Sequence, residues 1–148
     1  MGEGEKQLEA FRKYLGQKEN IAKLQKIFPI IVTTCISAHR LGEPTPMFDM
    51  VIMDEASQCN IAVSLVPIVR GESLMLVGDP QQLNPVILLD EITNEKLKKR
   101  YKVTDEYDYR KNSIYKTFLA CDAVSDETLL HNHYRCHRSI IGFNNRKY

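Results

Sequence analysis

Two adjacent carboxylates, Asp54 and Glu55, close an apolar run in MVIMDEASQ (50–58). A buried strand has no need of two acids at its end. In that position they suit divalent-metal chemistry. Asp54 can hold Mg²⁺ through water, because magnesium keeps several waters and takes one or two carboxylates together with phosphate oxygens. Glu55 can orient and deprotonate a water that attacks a γ-phosphate. Taken alone, the stretch is equally accounted for by a solvated strand end whose acids cap the next helix. A metal-dependent nuclease built on Asp54 and Glu55 would want further acidic ligands clustered with them, and the sequence shows no source for these.

A second polar group follows another apolar run, in LVGDPQQLNPV (76–86). Gly78 permits a tight exit from a sheet, and Pro80 stiffens the turn. Gln81 and Gln82 supply neutral amide donors suited to sensing a phosphate. A plain polar turn explains Gly78 and Pro80 but not the glutamines beside Asp79. The third group is HYR (133–135). Arg135 at a strand end can stabilise transition-state charge on a transferring phosphoryl group, although a lone arginine is ordinarily a surface charge. The surrounding HNHYRCH (131–137) is rich in ligand types, but its spacing fits no usual zinc finger.

The elements that must position these groups follow from periodicity. Leu8, Phe11 and Leu15, then Ile21, Leu24, Ile27 and Phe28 after Gly16, recur at helical spacing. They predict two short helices, or one broken helix, ended by Pro29. The β-branched IIVTT (30–34), MVIM (50–53) and SLMLV (73–77) are predicted strands, with TLLH (128–131) a short fourth. The stretch 41–49, with two prolines and a glycine, reads as a loop. Helices are expected over 61–69, 91–101, from Ile114 to Leu119, and from 139 to 145, with 107–110 a polar link. Strands alternating with helices point to an α/β layer fold with a mostly parallel sheet flanked by helices. Ligands in such sheets sit outside the carboxyl ends of the strands. Thr33 and Thr34, Asp54 and Glu55, Asp79 with Gln81 and Gln82, and the stretch 131–135 all fall at such predicted ends.

Composition sets the bounds. A chain of 148 residues is one domain or most of one, and buries about 68–70% of its unfolded surface. A net charge of +1 gives no general nucleic-acid coat, yet leaves room for a local basic groove. Lys96, Lys98, Lys99 and Arg100 lie on one expected helix and read as a solvated face, with phosphate-backbone binding as the alternative. Cys35, Cys59, Cys121 and Cys136 are scattered without CxxC spacing, which predicts free, buried or half-buried thiols. No apolar run approaches the roughly 18 residues of a membrane span. The charged N-terminus has no apolar signal core, so a cytoplasmic location without membrane contact is expected.

In combination, TTCISAHRLG (33–42), VIMDEASQ (51–58), LMLVGDPQQLNPV (74–86) and HNHYRCHRSI (131–140) resemble the Upf-like branch of superfamily 1 helicases, from about residue 30 to the C-terminus. The resemblance implies a partial RecA-like P-loop NTPase domain that uses ATP and Mg²⁺ and engages single-stranded DNA or RNA. It implies that Asp54 is the magnesium aspartate, Glu55 the catalytic base of the Walker B motif, and Gln58 the glutamine that closes it. Gly78, Asp79 and Gln82 fall on the family's motif III, where the glutamine contacts the γ-phosphate. Arg135 falls on the motif IV arginine, which displaces the zinc reading of that stretch. Thr33 and Thr34 fall on a segment that lines the single-strand channel.

The departures matter too. No GxxxxGK[ST] occurs in the sequence; the amides and lysine of that loop cradle and neutralise the phosphates. The second RecA-like domain is also missing. The resemblance therefore implies an N-terminal helical segment (1–29) and the C-terminal part of a first motor domain (30–148), with the phosphate-loop strand missing and the remainder of the helicase as a partner. That strand is expected between SLMLV and the strand leading to HYR. Its absence leaves SLMLV with an unpaired apolar edge, a template for self-association. The alternative is a truncated or degenerate, non-catalytic protein that binds nucleic acid or a partner.

Overall fold

A computed structural model of the chain describes residues 2–121, 125–130, 132 and 134–147, without the side chains of 18, 144 and 147. His131 and His133, in the predicted fourth strand and the HYR stretch, lie outside the described residues.

The two N-terminal helices form where the apolar spacing puts them. Helix α1 (Glu3–Leu15) opens with the Gly2 amide donating to the Glu5 carboxylate at 3.1 Å and closes on Arg12 and Lys13, so charge complements the helix dipole at both ends. Helix α2 (Lys18–Gln25) buries Ile21 completely. Gln25 Nε2 donates to the Met47 carbonyl at 2.8 Å, fastening α2 to the start of the first strand.

The centre of the fold is one βαβ unit. Strand β1 (Phe48–Met53) pairs in parallel with β2 (Gly71–Leu76), in the register Phe48↔Gly71, Val51↔Leu74 and Met53↔Leu76. The crossover is a 3-10 turn (Ala56–Gln58) and helix α3 (Ile61–Ile68). Asn60 starts α3 by accepting from the Val63 amide at 3.0 Å. Buried Arg70 then donates to the carbonyls of Val66 at 2.5 Å and Gly42 at 2.7 Å, pinning the 41–47 loop against the crossover. The core is Met53, Ala56, Ile61 and Ile114, with Val51, Leu74, Leu76, Tyr115 and Phe118 packed around it. Helix α5 (Ile114–Cys121) is laid on this core by the Ile114 amide, which donates to the Cys59 carbonyl at 3.0 Å.

The α/β class with a parallel sheet stands, and α4 (Glu91–Tyr101) has the predicted limits. Helix α6 (Arg138–Lys147) begins one residue earlier than expected. Two predicted strands are corrected. Residues 30–34 have no regular secondary structure, and 128–130 carry none either. Among the described residues the sheet therefore has two strands, not four. A short β-branched run is a strand only where a neighbour completes its ladder, and nothing in 30–34 says which neighbour that is. Both β1 and β2 consequently present an outer edge; only that of β2 was anticipated. Cys35 and Cys59 are half-buried as expected, but Cys121 and Cys136 are exposed. Among the described residues no helix is long and apolar enough to cross a membrane.

The basic run on α4 is also not simply solvated. Lys98 turns inward and bonds Asp105 at 2.8 Å and Asp108 at 2.6 Å, and the Asp108 side chain is only 1% exposed. Asn94 Nδ2 donates to Asp108 Oδ1 at 3.0 Å, and the Arg110 amide donates to the same oxygen at 2.9 Å. Burial pushes the Asp108 carboxyl up; the Lys98 ammonium, the Arg110 amide and Asn94 outweigh that and bring it from 3.8 to about 2. Asp105 is lowered as well, first by its hydrogen bond to Lys98.

A carboxyl lowered on folding stabilises the fold fully above its unfolded pKa and loses that contribution as pH falls through its folded value. The thermal midpoint should therefore drop between pH 3.8 and about 2. Asp108→Asn should melt lower at neutral pH and lose part of the acid dependence within that window. Melts followed by circular dichroism across the range test this; an unchanged acid slope in the variant would contradict it.

Candidate functional site

The two strand ends are stitched together beyond the sheet itself. The Val77 amide donates to the Met53 carbonyl at 2.8 Å, and the Ala56 amide donates to the Val77 carbonyl at 2.8 Å. The parallel ladder thus continues into both exit loops. Asp54 and Glu55 leave β1 at the same carboxyl edge where Gly78 and Asp79 leave β2.

Gly78 was expected to supply a tight turn. Its real constraint is proximity. Among the described glycines only Gly42 has positive φ. A Cβ on Gly78 would lie 2.9 Å from the Ser57 amide nitrogen and 3.3 Å from the Tyr115 ring. The Asp79 amide then donates to the buried Ser57 hydroxyl at 3.3 Å. Ser57 and Tyr115 are site-building residues that sequence reasoning passed over. Ser57 could have been suspected from its place within DEASQ; Tyr115 gave no signal beyond helical spacing. Lys116, next on α5, donates to Asn84 at 2.9 Å and holds the far end of the GDPQQLN loop.

The polar side chains arrange themselves in two small groups. Glu55 sits at φ 54 and ψ 36, a left-handed conformation that is uncommon for a residue with a side chain. Its amide donates to Asp54 Oδ1 at 2.9 Å. Gln58 Nε2 donates to Glu55 Oε2 at 3.1 Å, which fixes the direction of the carboxylate. Backbone outliers of this kind persist where the surroundings over-determine them, and they cluster at functional sites. In the second group Asp79 accepts from the Gln81 amide at 2.9 Å and from Gln82 Nε2 at 3.2 Å, so Gln82 is folded back on the acid. Asp54, Glu55, Gln58 and Gln82 are all exposed, and Asp79 is half-buried.

Thr33 and Thr34 are exposed on the 30–34 segment. Thr34 Oγ1 accepts from the Ser37 amide at 3.2 Å and so begins the 3-10 turn Ile36–Arg40. Both threonines line a cleft of about 640 Å³ whose opposite wall is β1 and whose lining includes Asp54. Arg135 is the remaining predicted site residue. It is exposed, and among the described residues no hydrogen bond or ion pair joins it to Asp54, Glu55, Asp79 or Gln82.

The oxygen-only chemistry of Asp54 suits a hydrated magnesium ion. One Asp54 oxygen is engaged by the Glu55 amide, leaving the other for a metal-bound water. Magnesium takes few protein ligands and keeps its waters, so this sparse donor set fits it.

Comparison with known proteins adds the relationship. Residues 3–90 match a protein family described as an AAA domain. RNA helicase Mov10l1 of Mus musculus is 36% identical over 88 residues, covering 54% of this chain and 7% of that protein. The DNA replication ATP-dependent helicase/nuclease DNA2 of Mus musculus is 36% identical over 72 residues, 47% of this chain and 7% of that protein. An uncharacterized ATP-dependent helicase of Methanocaldococcus jannaschii is 44% identical over 52 residues, 35% of this chain and 7% of that protein. The matched stretches thus span about 7% of the length of these relatives. The family match takes in Thr33 through Gln82 and ends before Arg135.

The contact at Gly78 carries a prediction. Gly78→Ala should lower stability by about 1–3 kcal/mol, because the added methyl meets backbone rather than a flexible side chain. Gly142→Ala on α6, where a Cβ meets nothing within 4 Å, should be neutral or stabilising by about 0.5–1 kcal/mol. Urea titrations of the two variants distinguish crowding at Gly78 from a general cost of replacing glycine.

Proposed function

The chain belongs to the AAA-domain family, in its Upf-like superfamily 1 helicase branch, and on that premise we propose that it forms part of an ATP-driven motor acting on single-stranded nucleic acid. The observation that carries this reading is the shared edge. Asp54, Glu55 and Gln58 leave one strand beside Asp79 and Gln82 from the next, through a hydrogen-bonded ladder that fixes the two loops together.

In this reading Asp54, with Asp79 nearby, holds hydrated Mg²⁺, which supplies charge neutralisation for the phosphates of ATP. Glu55 takes the proton of the attacking water. Gln58 is a positioning residue, since it bonds one Glu55 oxygen and leaves the other for that water. Gln82 exchanges its bond to Asp79 for one to the γ-phosphate and so reports the nucleotide state through the Asp79–Ser57 contact. Arg135 serves as the charge-stabilising arginine and approaches from its exposed segment. Thr33 and Thr34 contact the strand, through the cleft they share with Asp54. A phosphate-cradling loop comes from outside these 148 residues, since the sequence contains no GxxxxGK[ST]. That same fact favours a second reading, a non-catalytic relative that binds nucleic acid or a partner without turnover.

The two readings diverge under assay. The 148-residue chain by itself should show no ATP hydrolysis. In a polypeptide that adds a phosphate loop and a second motor domain, nucleic-acid-stimulated hydrolysis should appear, and Glu55→Gln should reduce it by about 10²–10⁴-fold while ATP binding is largely retained. Full turnover in that variant removes Glu55 from the proposed role. Absence of turnover in the unsubstituted assembly supports the non-catalytic reading.

The open strand edges suggest self-association of the isolated chain. Its melting midpoint should then rise with protein concentration. A concentration-independent melt of a strict monomer in sedimentation would exclude this.

A further inference from the structure

A second cleft, of about 460 Å³, shares no lining residue with the acids, the glutamines or the threonines. One wall is a single face of α4, where Asn94, Leu97, Lys98 and Tyr101 recur at i, i+3, i+4 and i+7. Tyr107 and Tyr109 line it from the segment after the helix, and Leu88 and Leu89 from the approach to it. Ala62, exposed on α3, also borders it. The Arg100 guanidinium lies over the Tyr101 ring at 5.3 Å, so that ring is held by its neighbour although it is 64% exposed. A concavity of this volume, with apolar and aromatic walls and few polar groups, is of the kind that takes small molecules.

Besides the tyrosine hydroxyls, two polar side chains line the cleft, and each narrows what can occupy it. The Lys98 ammonium is already engaged by Asp105 at 2.8 Å and Asp108 at 2.6 Å, and Lys111 stands 3.8 Å from Asp108. Two ammonium groups thus face two carboxylates. Lys96 and Lys99 lie on the opposite face of α4 and do not line the cleft. The wall is therefore neutral and favours neither an anion nor a cation. Asn94 is 4% exposed, and its Nδ2 is committed to Asp108 at 3.0 Å. Among the described residues none donates to its Oδ1. A buried amide oxygen without a donor is costly, and this oxygen is the end of the side chain left for an occupant.

We propose that this cleft binds a neutral, planar aromatic molecule that carries an N–H donor. Its ring packs against Tyr101, Tyr107 and Tyr109 in offset or edge-to-face contact, and its N–H donates to Asn94 Oδ1. The proposal rests on the cleft alone and not on the nucleotide reading.

Indole is the probe. The chain contains no tryptophan, so indole excited beyond tyrosine absorption reports only on itself. Titrated with the whole chain, its emission should shift to shorter wavelength and saturate. 1-Methylindole, which lacks the N–H, should bind about 2–10-fold more weakly. Tyr101→Ala, altered at an exposed position, should weaken indole by about 2–10-fold. Ala62→Phe fills the cleft from an exposed position and should abolish the saturable shift, with circular dichroism to check that the variant folds. The comparison of indole with 1-methylindole needs no variant and decides the Asn94 contact whatever the folding of either substitution. A shift that does not saturate, equal binding of 1-methylindole, tighter binding of the indole-3-acetate anion, or binding that survives Tyr101→Ala unchanged would each overturn the proposal. Because no ATP or nucleic acid is present, its failure is separate from failure of the motor reading.

Discussion

The arrangement depends on the parallel ladder not stopping where the strands do. Two further main-chain bonds, Val77 to Met53 and Ala56 to Val77, carry the pairing past the last strand residues. Without them the acids and the glutamine loop would leave the sheet independently, and loop entropy would separate them. With them, the backbone of Gly78 runs against that of Ser57 so closely that no side chain fits between. Main-chain hydrogen bonds are short and directional, so they transmit position between loops better than flexible side-chain contacts could.

Within that frame the acids are aimed rather than merely present. The left-handed backbone at Glu55 reverses the chain just after the strand, and the following 3-10 turn returns Gln58 to bond the carboxylate it left behind. A residue other than glycine is disfavoured there by roughly 1–2 kcal/mol. The strain is local, and the buried neighbours Ala56 and Ser57 hold it in place.

Much of this was legible from local chemistry. MVIM, the helix after Asn60 and the helix after Asp90 are encoded by their own residues: apolar runs, an asparagine cap, an aspartate cap. The misread elements are those whose fate is decided elsewhere in the chain. IIVTT has strong strand propensity, yet Ile30 and Val32 are 81% and 91% exposed, because no described strand lies against it. Lys98 looked like one more charge on a basic face until Asp105 and Asp108, brought near by the turn after α4, drew it inward. Gly78 was flagged for the right position and the wrong reason: a sequence shows that a glycine is there, but not what comes within 3 Å of it. The acids and glutamines were visible as residue types; their grouping into Asp54–Glu55–Gln58 and Asp79–Gln82 required the register of β1 on β2.

The size of the core explains why the two ends of the site are not mechanically independent. Met53, Ala56, Ile61 and Ile114 are its buried residues, and they lie on β1, the turn after it, α3 and α5. The same cluster receives Cys35 from the threonine-bearing segment and Cys59 from the end of the acid-bearing turn. Close-packed interiors deform little and transmit strain. Val51, Leu74, Leu76, Tyr115 and Phe118 surround the cluster as partly buried neighbours. Met53 and Ala56, the residues on either side of Asp54 and Glu55, belong to the cluster on which Cys35 of the threonine-bearing segment packs. If Thr33 and Thr34 bind the strand and Glu55 activates water, as proposed, this shared hydrophobic cluster is the physical link between the two.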